Sequence, residues 1–512
     1  MARLKRRWQA ALSRLGSVAL GALLVFSYAP FEQAWLPFIV FPLLVFLLHT
    51  KNPDNAWRLG YYFGFGWFAA GLSWIYVSID SFGGLHPIAS VAILLVLFSY
   101  LSLFPAFALW LWRWLSVRIH PAGYWSLPLT WLIAESVRGW FLTGFPWLEL
   151  GYTQTDTWLA SYATWFGGAG ISSILLLLAL LVVRFVQQRH WRYPAVAFGA
   201  LVLPLVLTQL NQVSRTGESL KVGLVQGNIP QSIKWNPDQH WPNLKTYLEL
   251  TRQLYNDHDV IIWPESAVTM PEPYTDDILA ILHDEMSETS TALMTGIVDI
   301  QDEAYYNSVI TLGQDGTGHV EEPYQHGHSN RFKKHQLLPI GEFVPFESLL
   351  RPLAPLFNLP MSSFSRGEYV QQPLRAQGRE FNTAICYEIA FPNQVQANFT
   401  DTTNFLLTVS NDTWFGRSHG PAQHMQIARM RAIELARPLI RSTNSGITAI
   451  TDERGRWLAR APQFVATTIS AEVPIVQGLT PYTLLGAWGS WLLAGLILIG
   501  GAFPVVIRRQ NK

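Results

Sequence analysis

Apolar residues fill long stretches over residues 1–210 and again over 484–507, whereas the segment between them alternates short apolar runs with polar ones. About 20 mostly apolar helical residues cross the hydrocarbon core of a bilayer. Runs of this kind predict membrane spans at roughly 12–28, 33–49, 58–80, 87–112, 123–142, 161–187, 193–210 and 484–507. The fifth is the weakest, because Glu135 and Arg138 fall in it. One short apolar run would also suit a buried helix of a soluble protein. Eight of them, mostly long and with Trp at their ends, argue for about eight transmembrane helices. Arg3, Lys5, Arg6, Arg7 and Arg14 precede the run from Val18 to Tyr28 in the manner of a secretory signal. No small-x-small cleavage site follows, so the run is expected to stay as a first anchor.

Residues 213–480 carry a different pattern. Lys221–Gln226, Val260–Trp263, Leu293–Val298, Ser308–Leu312, Phe381–Cys386, Phe405–Ser410 and Gly446–Thr451 read as strands. Pro242–Tyr255, Thr275–Glu285 and Gln423–Leu435 read as helices. This mixture predicts an α/β layered domain. The expected organisation is seven helices in 1–212, the α/β domain in 213–480, and an eighth helix with a short tail in 481–512. No internal repeat interrupts it.

Composition sharpens the picture. Half of the residues are hydrophobic and only 14% are charged, low for a soluble enzyme. A net charge of +1 gives no support to nucleic-acid binding. The cations are distributed unevenly. The N-terminal cluster, Lys51 and Arg58, Arg113 and Arg118, Arg184, Arg189 and Arg192, and Arg508, Arg509 and Lys512 fall on one face, while Ser81–His86 and the 138–160 loop hold only Arg138. Cytoplasmic loops are the cation-rich ones. Both termini are therefore expected in the cytoplasm and residues 213–480 outside it, in a bacterium the periplasm. One cysteine, Cys386, allows neither an internal disulfide nor a Cys-rich metal site. The histidines have no convincing ligand spacing, and no glycine-rich phosphate loop is present. No cofactor or metal is expected.

Candidate chemistry centres on three segments. Cys386 ends the apolar strand Phe381–Ile385, and strand ends are where rigid scaffolds present reactive groups. A buried structural cysteine is the plain alternative. A lone thiol in an oxidising compartment is a chemical liability, which favours a nucleophile. Such a thiol needs a base or a cation beside it. Glu265 follows the apolar run Val260–Trp263 and Pro264, where desolvation can raise a carboxyl toward neutrality; a solvated loop glutamate or helix-cap partner is the alternative. A lysine in Arg331-Phe-Lys-Lys334 would stabilise a thiolate and an oxyanion. Spacing alone does not choose between Lys333 and Lys334, and a solvated basic segment is the bland reading.

Together these segments resemble the nitrilase superfamily: Trp-Pro-Glu-Ser at 263–266, the lysine segment running to Gly-Glu-Phe-Val-Pro at 341–345, and Ile-Cys-Tyr-Glu at 385–388. The resemblance implies an αββα sandwich and a Glu-Lys-Cys triad. Its lysine motif has the lysine five residues before a proline, so Pro339 selects Lys334. Phe332 and Gln336 depart from the motif, which puts the neighbours of the amine in doubt. With the flanking spans, the whole chain resembles the membrane-embedded branch, the apolipoprotein N-acyltransferase family. Val-Gln-Gly-Asn-Ile-Pro at 225–230, Ser-Asn-Asp-Thr-Trp-Phe-Gly at 410–416 and Arg-Ser-Thr-Asn-Ser-Gly at 441–446 are similar to segments of that family.

That resemblance, not composition, implies the substrates: a phospholipid acyl donor, typically phosphatidylethanolamine, and a diacylated apolipoprotein whose N-terminal amine accepts the chain. It implies a monomer in the bacterial inner membrane and a thioacyl-enzyme on Cys386. It places Glu342, Tyr387 and Glu388 in support of the catalytic groups, with surface salt bridges as the alternative for the two glutamates. Trp235 is assigned to a substrate-contacting loop, with a packed core Trp as the alternative. Asn411 and Trp414 are assigned to the pocket, with a structural turn as the alternative. Two rivals stay open. A membrane-tethered amidase would use the same triad, though a small polar substrate does not require eight spans. A transporter would need more ionisable residues in its spans than Glu135 and Arg138.

Overall fold

The computed structural model describes residues 2–48, 53–82, 86–119, 121–316, 323–339, 341–343 and 364–510. Lys51, Lys512, the middle of the 81–86 loop and the Val-Pro end of the lysine motif at 344–345 lie outside these residues. The chain divides into two compact units, one of residues 1–80, 85–211 and 484–512 and the other of residues 81–84 and 212–483.

The first unit is helical. Its longer helices are Ala2–Leu24, Pro37–Leu48, Pro53–Gly71, Pro87–Arg118, Leu127–Arg138, Ala163–Gln188, Arg192–Gln209 and Trp488–Gln510. Three helical segments among the described residues are long and apolar enough to cross a membrane: Pro87–Arg118, Trp158–Gln188 and Arg192–Gln209. Ala11–Ser27, Pro37–Leu48 and Trp488–Gly501 are shorter apolar helices. Outward positions such as Val96, Phe198, Leu205 and Leu496 are exposed and apolar. Helices that are apolar on their outer faces too fit a membrane protein. Small residues let these helices approach closely. A Cβ built on Gly21 would lie 2.0 Å from the Phe63 carbonyl oxygen, and one on Gly66 would lie 2.1 Å from that of Val18.

Over the expected span at 123–142, a short 3-10 helix, Ala122–Ser126, runs directly into a helix of 12 residues, Leu127–Arg138. Glu135 and Arg138 end it by turning to the irregular chain beyond. Arg138 Nη1 donates to the Trp147 carbonyl at 2.6 Å, the Leu150 N–H donates to Glu135 Oε1 at 3.2 Å, and the two side chains lie 4.0 Å apart. The pair therefore knits a non-helical loop to a helix end inside apolar surroundings. Removing one partner of a buried ion pair costs about 3–5 kcal/mol, more than removing both. Arg138→Met should accordingly lower the thermal midpoint in detergent well below wild type, and adding Glu135→Gln should restore part of the loss. A double variant no more stable than Arg138→Met would show that the two side chains act separately.

The second unit contains thirteen strands among its described residues: β1 (Ser214–Gln226), β2 (Val260–Ile262), β3 (Val268–Pro271), β4 (Ala292–Gln301), β5 (Ala304–Gly313), β6 (Arg331–Lys333), β7 (Leu374–Ala376), β8 (Arg379–Ile385), β9 (Thr403–Ser410), β10 (Leu439–Thr443), β11 (Ala449–Thr451), β12 (Trp457–Arg460) and β13 (Thr467–Gln477). One sheet runs β13-β1-β2-β4-β5-β6, with β3 on β4; the other runs β12-β11-β10-β9-β8-β7. Strand pleating sends alternate side chains to opposite faces. Val260 and Ile262 of β2 enter a core with Phe405, Leu407 and Val409 of β9 and with Ile385 of β8, so the two sheets pack face to face. Ile261 and Trp263 point the other way, against Leu244, Leu279 and Leu282 of the covering helices. Leu406 meets Met425, Ala428 and Ala432 of helix Gly420–Leu435. The result is a four-layer αββα sandwich.

At the centre of each sheet the strands are parallel: β1, β2 and β4 in one, β8, β9 and β10 in the other. Open α/β sheets bind ligands beyond the carboxyl ends of parallel strands. Glu265 follows β2, Cys386 follows β8 and Asn411 follows β9, each at such an end. Strand β6, which leads into Lys334, is held by a buried ion network. Arg331 contacts Glu272 at 2.8 and 2.9 Å and Asp299 of β4 at 2.9 Å, and His326 lies 3.5 Å from Asp299.

Candidate active site

The Glu265 turn is tightly built. Beyond β2 the Trp263 N–H donates to the Met294 carbonyl at 2.9 Å and the indole donates to Thr251 Oγ1 at 2.8 Å. The chain then passes so close to β4 that a Cβ on Gly296 would lie 2.5 Å from the Ser266 nitrogen and 2.7 Å from the Glu265 Cα. Only glycine fits there. The carboxylate of Glu265 receives Asn307 Nδ2 at 2.8 Å and Lys334 Nζ at 3.5 Å on Oε1, and the Asn411 N–H at 2.7 Å on Oε2.

Lys334 is 1% exposed, and its backbone is fixed on both sides. Its N–H donates to the Asn307 carbonyl at 2.8 Å, and its own carbonyl accepts from Gly367 at 2.9 Å. The ammonium donates to Glu342 Oε1 at 2.8 Å as well as facing Glu265. Asn307 Nδ2 spans both carboxylates, 2.9 Å from Glu342 Oε1. Glu342 Oε2 takes the Leu338 N–H at 2.8 Å. Burial opposes the charge on Lys334, but Glu342 and then Glu265 outweigh it and hold the amine above its ordinary range. Lys334 is thus a fixed cation. Lys333 faces away, toward Gln301 and Asp299.

Cys386 has φ +54°, in the left-handed region that a residue with a side chain rarely occupies. Strain of this kind persists only where the surroundings impose it. Here Glu388 is one support. Its Oε2 receives the Ile385 N–H at 2.8 Å, while Oε1 receives the N–H groups of His335 and Gln336 at 2.8 and 3.0 Å and Gln394 Nε2 at 2.8 Å. Glu388 therefore ties the cysteine turn to the chain just after Lys334. Burial pushes its carboxyl up, against those N–H groups. Tyr387 is buried with its ring edge-on to Phe391.

A second support comes from residues that sequence reasoning passed over. His424 Nε2 bonds the Cys386 carbonyl at 3.0 Å, and its Nδ1 lies 2.9 Å from Arg441 Nη2. Nδ1 also lies 3.1 Å from Asp412 Oδ1, and burial and then Arg441 push the imidazole down. Asp412 accepts from Arg441 at 2.9 Å and from Ser410 at 2.6 Å. Burial alone would raise Asp412, but Arg441 outweighs it and keeps the carboxyl below the ordinary range. Asp412 and Arg441 stand inside two of the motifs noted above. His424 carries no local signal.

Burial raises the Cys386 thiol, the Glu265 carboxylate raises it further, and Lys334 opposes both. The resting sulfur is therefore a thiol. Glu265 is the carboxylate that acts on it most strongly.

The remaining expected residues frame this centre. Asn411 gives its N–H to Glu265, donates from Nδ2 to Gln231 at 2.8 Å, and accepts from Asn444 at 3.2 Å. Asn444 also clasps Ile229 through two bonds of 2.8 and 2.9 Å. The three family-like segments at 225–230, 410–416 and 441–446 thus converge on one network. Trp414 is half-buried in the short helix Asp412–Phe415. Trp235 is half-buried and is not a core side chain. The residue before it is Lys234, which is 1% exposed and donates from Nζ to the Glu265 backbone carbonyl at 3.0 Å.

Comparison with known proteins agrees with this architecture. Residues 221–478 match the carbon-nitrogen hydrolase family model, and residues 20–181 match that of the apolipoprotein N-acyltransferase N-terminal domain. Among solved structures, a carbon-nitrogen hydrolase from Helicobacter pylori G27 is 11% identical, with a TM-score of 0.37 over 54% of this chain and 94% of that one. The fold and the family match define the class: a carbon-nitrogen hydrolase domain in one chain with an apolar helical region. An apolipoprotein N-acyltransferase of Shewanella oneidensis is 44% identical over 503 residues, 96% of this chain and 95% of the relative. That of Vibrio cholerae is 44% identical over 490 residues, 94% and 95% of the two chains. The chain belongs to the apolipoprotein N-acyltransferase family.

Proposed function

We propose that the protein moves a fatty acyl group from a membrane phospholipid, phosphatidylethanolamine for preference, to the N-terminal amine of a diacylglyceryl-cysteine lipoprotein, through a thioester on Cys386. Family membership supports lipoprotein N-acylation. The observation that carries the mechanism is the clamp of Lys334 between Glu265 and Glu342, beside a thiol held on a strained strand end. The catalytic groups are Glu265, Lys334 and Cys386. Glu342 and Glu388 position them, Tyr387 packs behind the turn, and Trp235, Asn411 and Trp414 shape the acyl pocket.

In the first half, Glu265 takes the Sγ proton while the sulfur attacks the ester carbonyl carbon. The oxyanion is met by the Lys334 ammonium, already oriented and charged, so little reorganisation is needed. Collapse breaks the ester C–O bond, and Glu265 returns the proton to the departing lysophospholipid oxygen. In the second half, the lipoprotein amine attacks the thioester and Glu265 accepts an amine proton. The C–S bond breaks, and that proton restores the thiol. The cation-rich loops favour both termini in the cytoplasm and this domain on the periplasmic side of the inner membrane. The reading is of a monomer without a cofactor.

Incubation with phosphatidylethanolamine alone tests this. A transferase must protect its thioester from water until the amine arrives. Intact mass should show one added acyl group on Cys386, with lysophospholipid released once. Neutral hydroxylamine or a diacylated lipopeptide should remove it, and Cys386→Ser should not form it. Continuous fatty-acid release without an adduct would instead identify a lipid hydrolase.

A further inference from the structure

The sequence singles out one active-site lysine, but the second unit buries two. Lys234 ends the short helix Gln231–Lys234, and its Nζ rests on the backbone carbonyl of Glu265 itself. Its seat is built. Gln231 is bonded by Asn411, Ile229 is clasped by Asn444, and the Lys234 carbonyl accepts from Asn243 at 3.3 Å. Among the described residues no carboxylate lies within ion-pairing distance of this ammonium, whereas Lys334 takes both Glu265 and Glu342. A buried ammonium is expensive unless something nearby needs its charge.

The charges around the thiol supply that need. Glu265 and Glu342 both lie on the Lys334 ammonium, at 3.5 and 2.8 Å. Transfer of the thiol proton to Glu265 leaves the net charge unchanged but moves the negative charge from that carboxylate to the sulfur and on to the oxyanion. We propose that Lys234 is a second ammonium of the catalytic centre, a positioning residue that acts through Glu265 and Cys386 to hold the negative charge as it passes from the carboxylate to the sulfur and the oxyanion. The proposal rests on the thioacyl reading above and adds a group to it.

Burial pushes the Lys234 amine down to about 8, with Glu265 and then Cys386 opposing that shift. The charged and titratable groups that act on it are Glu265, in the loop after β2, and Cys386, at the end of β8; the Trp235 ring lies 5.7 Å from Nζ on its own segment. The sign follows. The ammonium is present below its folded pKa and is lost as pH rises through about 8. A rate that depends on it falls there, opposite to the rise that ionisation of the thiol alone would give.

Single-turnover acylation of Cys386 by phosphatidylethanolamine, followed by intact mass between pH 6 and 10, reads this directly. Wild type should show a rate that declines through about pH 8. Lys234→Met should be about tenfold slower at neutral pH, as one pKa unit of lost charge stabilisation implies, and should lose the alkaline decline. Lys234→Arg keeps a permanent charge, so it should retain most of the rate and also lose the decline. A wild-type profile that does not fall between pH 7 and 9 overturns the proposal without any variant. So does a decline unchanged in Lys234→Met, or an equal loss at every pH in both variants, which would mark a purely structural lysine. A wild type that forms no adduct at any pH overturns the thioacyl reading and this proposal with it; an adduct with the wrong profile overturns the proposal alone.

Discussion

Lys334→Met should slow acylation of Cys386 by about 100- to 1000-fold, the usual loss when one preorganised oxyanion donor is removed. Lys333→Met, one residue away, should stay within about threefold of wild type in acylation rate, because its ammonium contacts neither Glu265 nor Glu342. The structure gives the reason for so sharp a difference. Lys334 is fully buried between two carboxylates and fixed through its own backbone, while Lys333 reaches Gln301 and Asp299 on the other side of the strand. Lys334 also lowers the thiol's resistance to ionisation. Alkylation of Cys386 by a small haloacetamide should therefore shift to higher pH in Lys334→Met. Equal small effects of the two substitutions would remove Lys334 from the mechanism.

Glu265→Gln should reduce acylation by about 10²- to 10⁴-fold, the range for loss of a positioned general base. The amide keeps the shape of the carboxylate, and its oxygen can still accept from Asn307 or from the Asn411 N–H. Its NH2 then faces a donor, so the thermal midpoint should fall modestly, with Lys334 still bonded to Glu342, while the chemistry fails. The thiol should respond in the opposite sense. Glu265 raises the Cys386 thiol, so its removal should bring alkylation to lower pH even as acylation collapses. A more ionisable thiol in a less active enzyme is the signature of a lost base. Parallel loss of both reactivities would instead mean that Glu265 only holds the turn.

Much of this centre is legible along the chain. Val260–Trp263 and Phe381–Ile385 are apolar runs too short for helices, each followed within two residues by Glu265 or Cys386, because a strand buried on both faces must end before it can present such a group. The spacing to Pro339 separates Lys334 from Lys333 in the same local way. Strand β10 is less legible, because Arg441 interrupts its apolar pattern; that arginine is buried only because Asp412 lies against it. The apolar run at 123–142 reads as a span, and its helix ends where Glu135 and Arg138 bind a loop further along.

What the sequence by itself determined is the set of buried strands and helices, the apolar character of the ends, and the candidates at strand ends, since burial and turning are written in neighbouring residues. What only the tertiary structure decided is which charges share a pocket. Asn307 joins Glu265 to Glu342, His424 reaches the Cys386 carbonyl, and Lys234 settles on Glu265 from 31 residues away. A polar side chain is buried only where a partner satisfies it, and those partners come from distant segments, so no local pattern announces them.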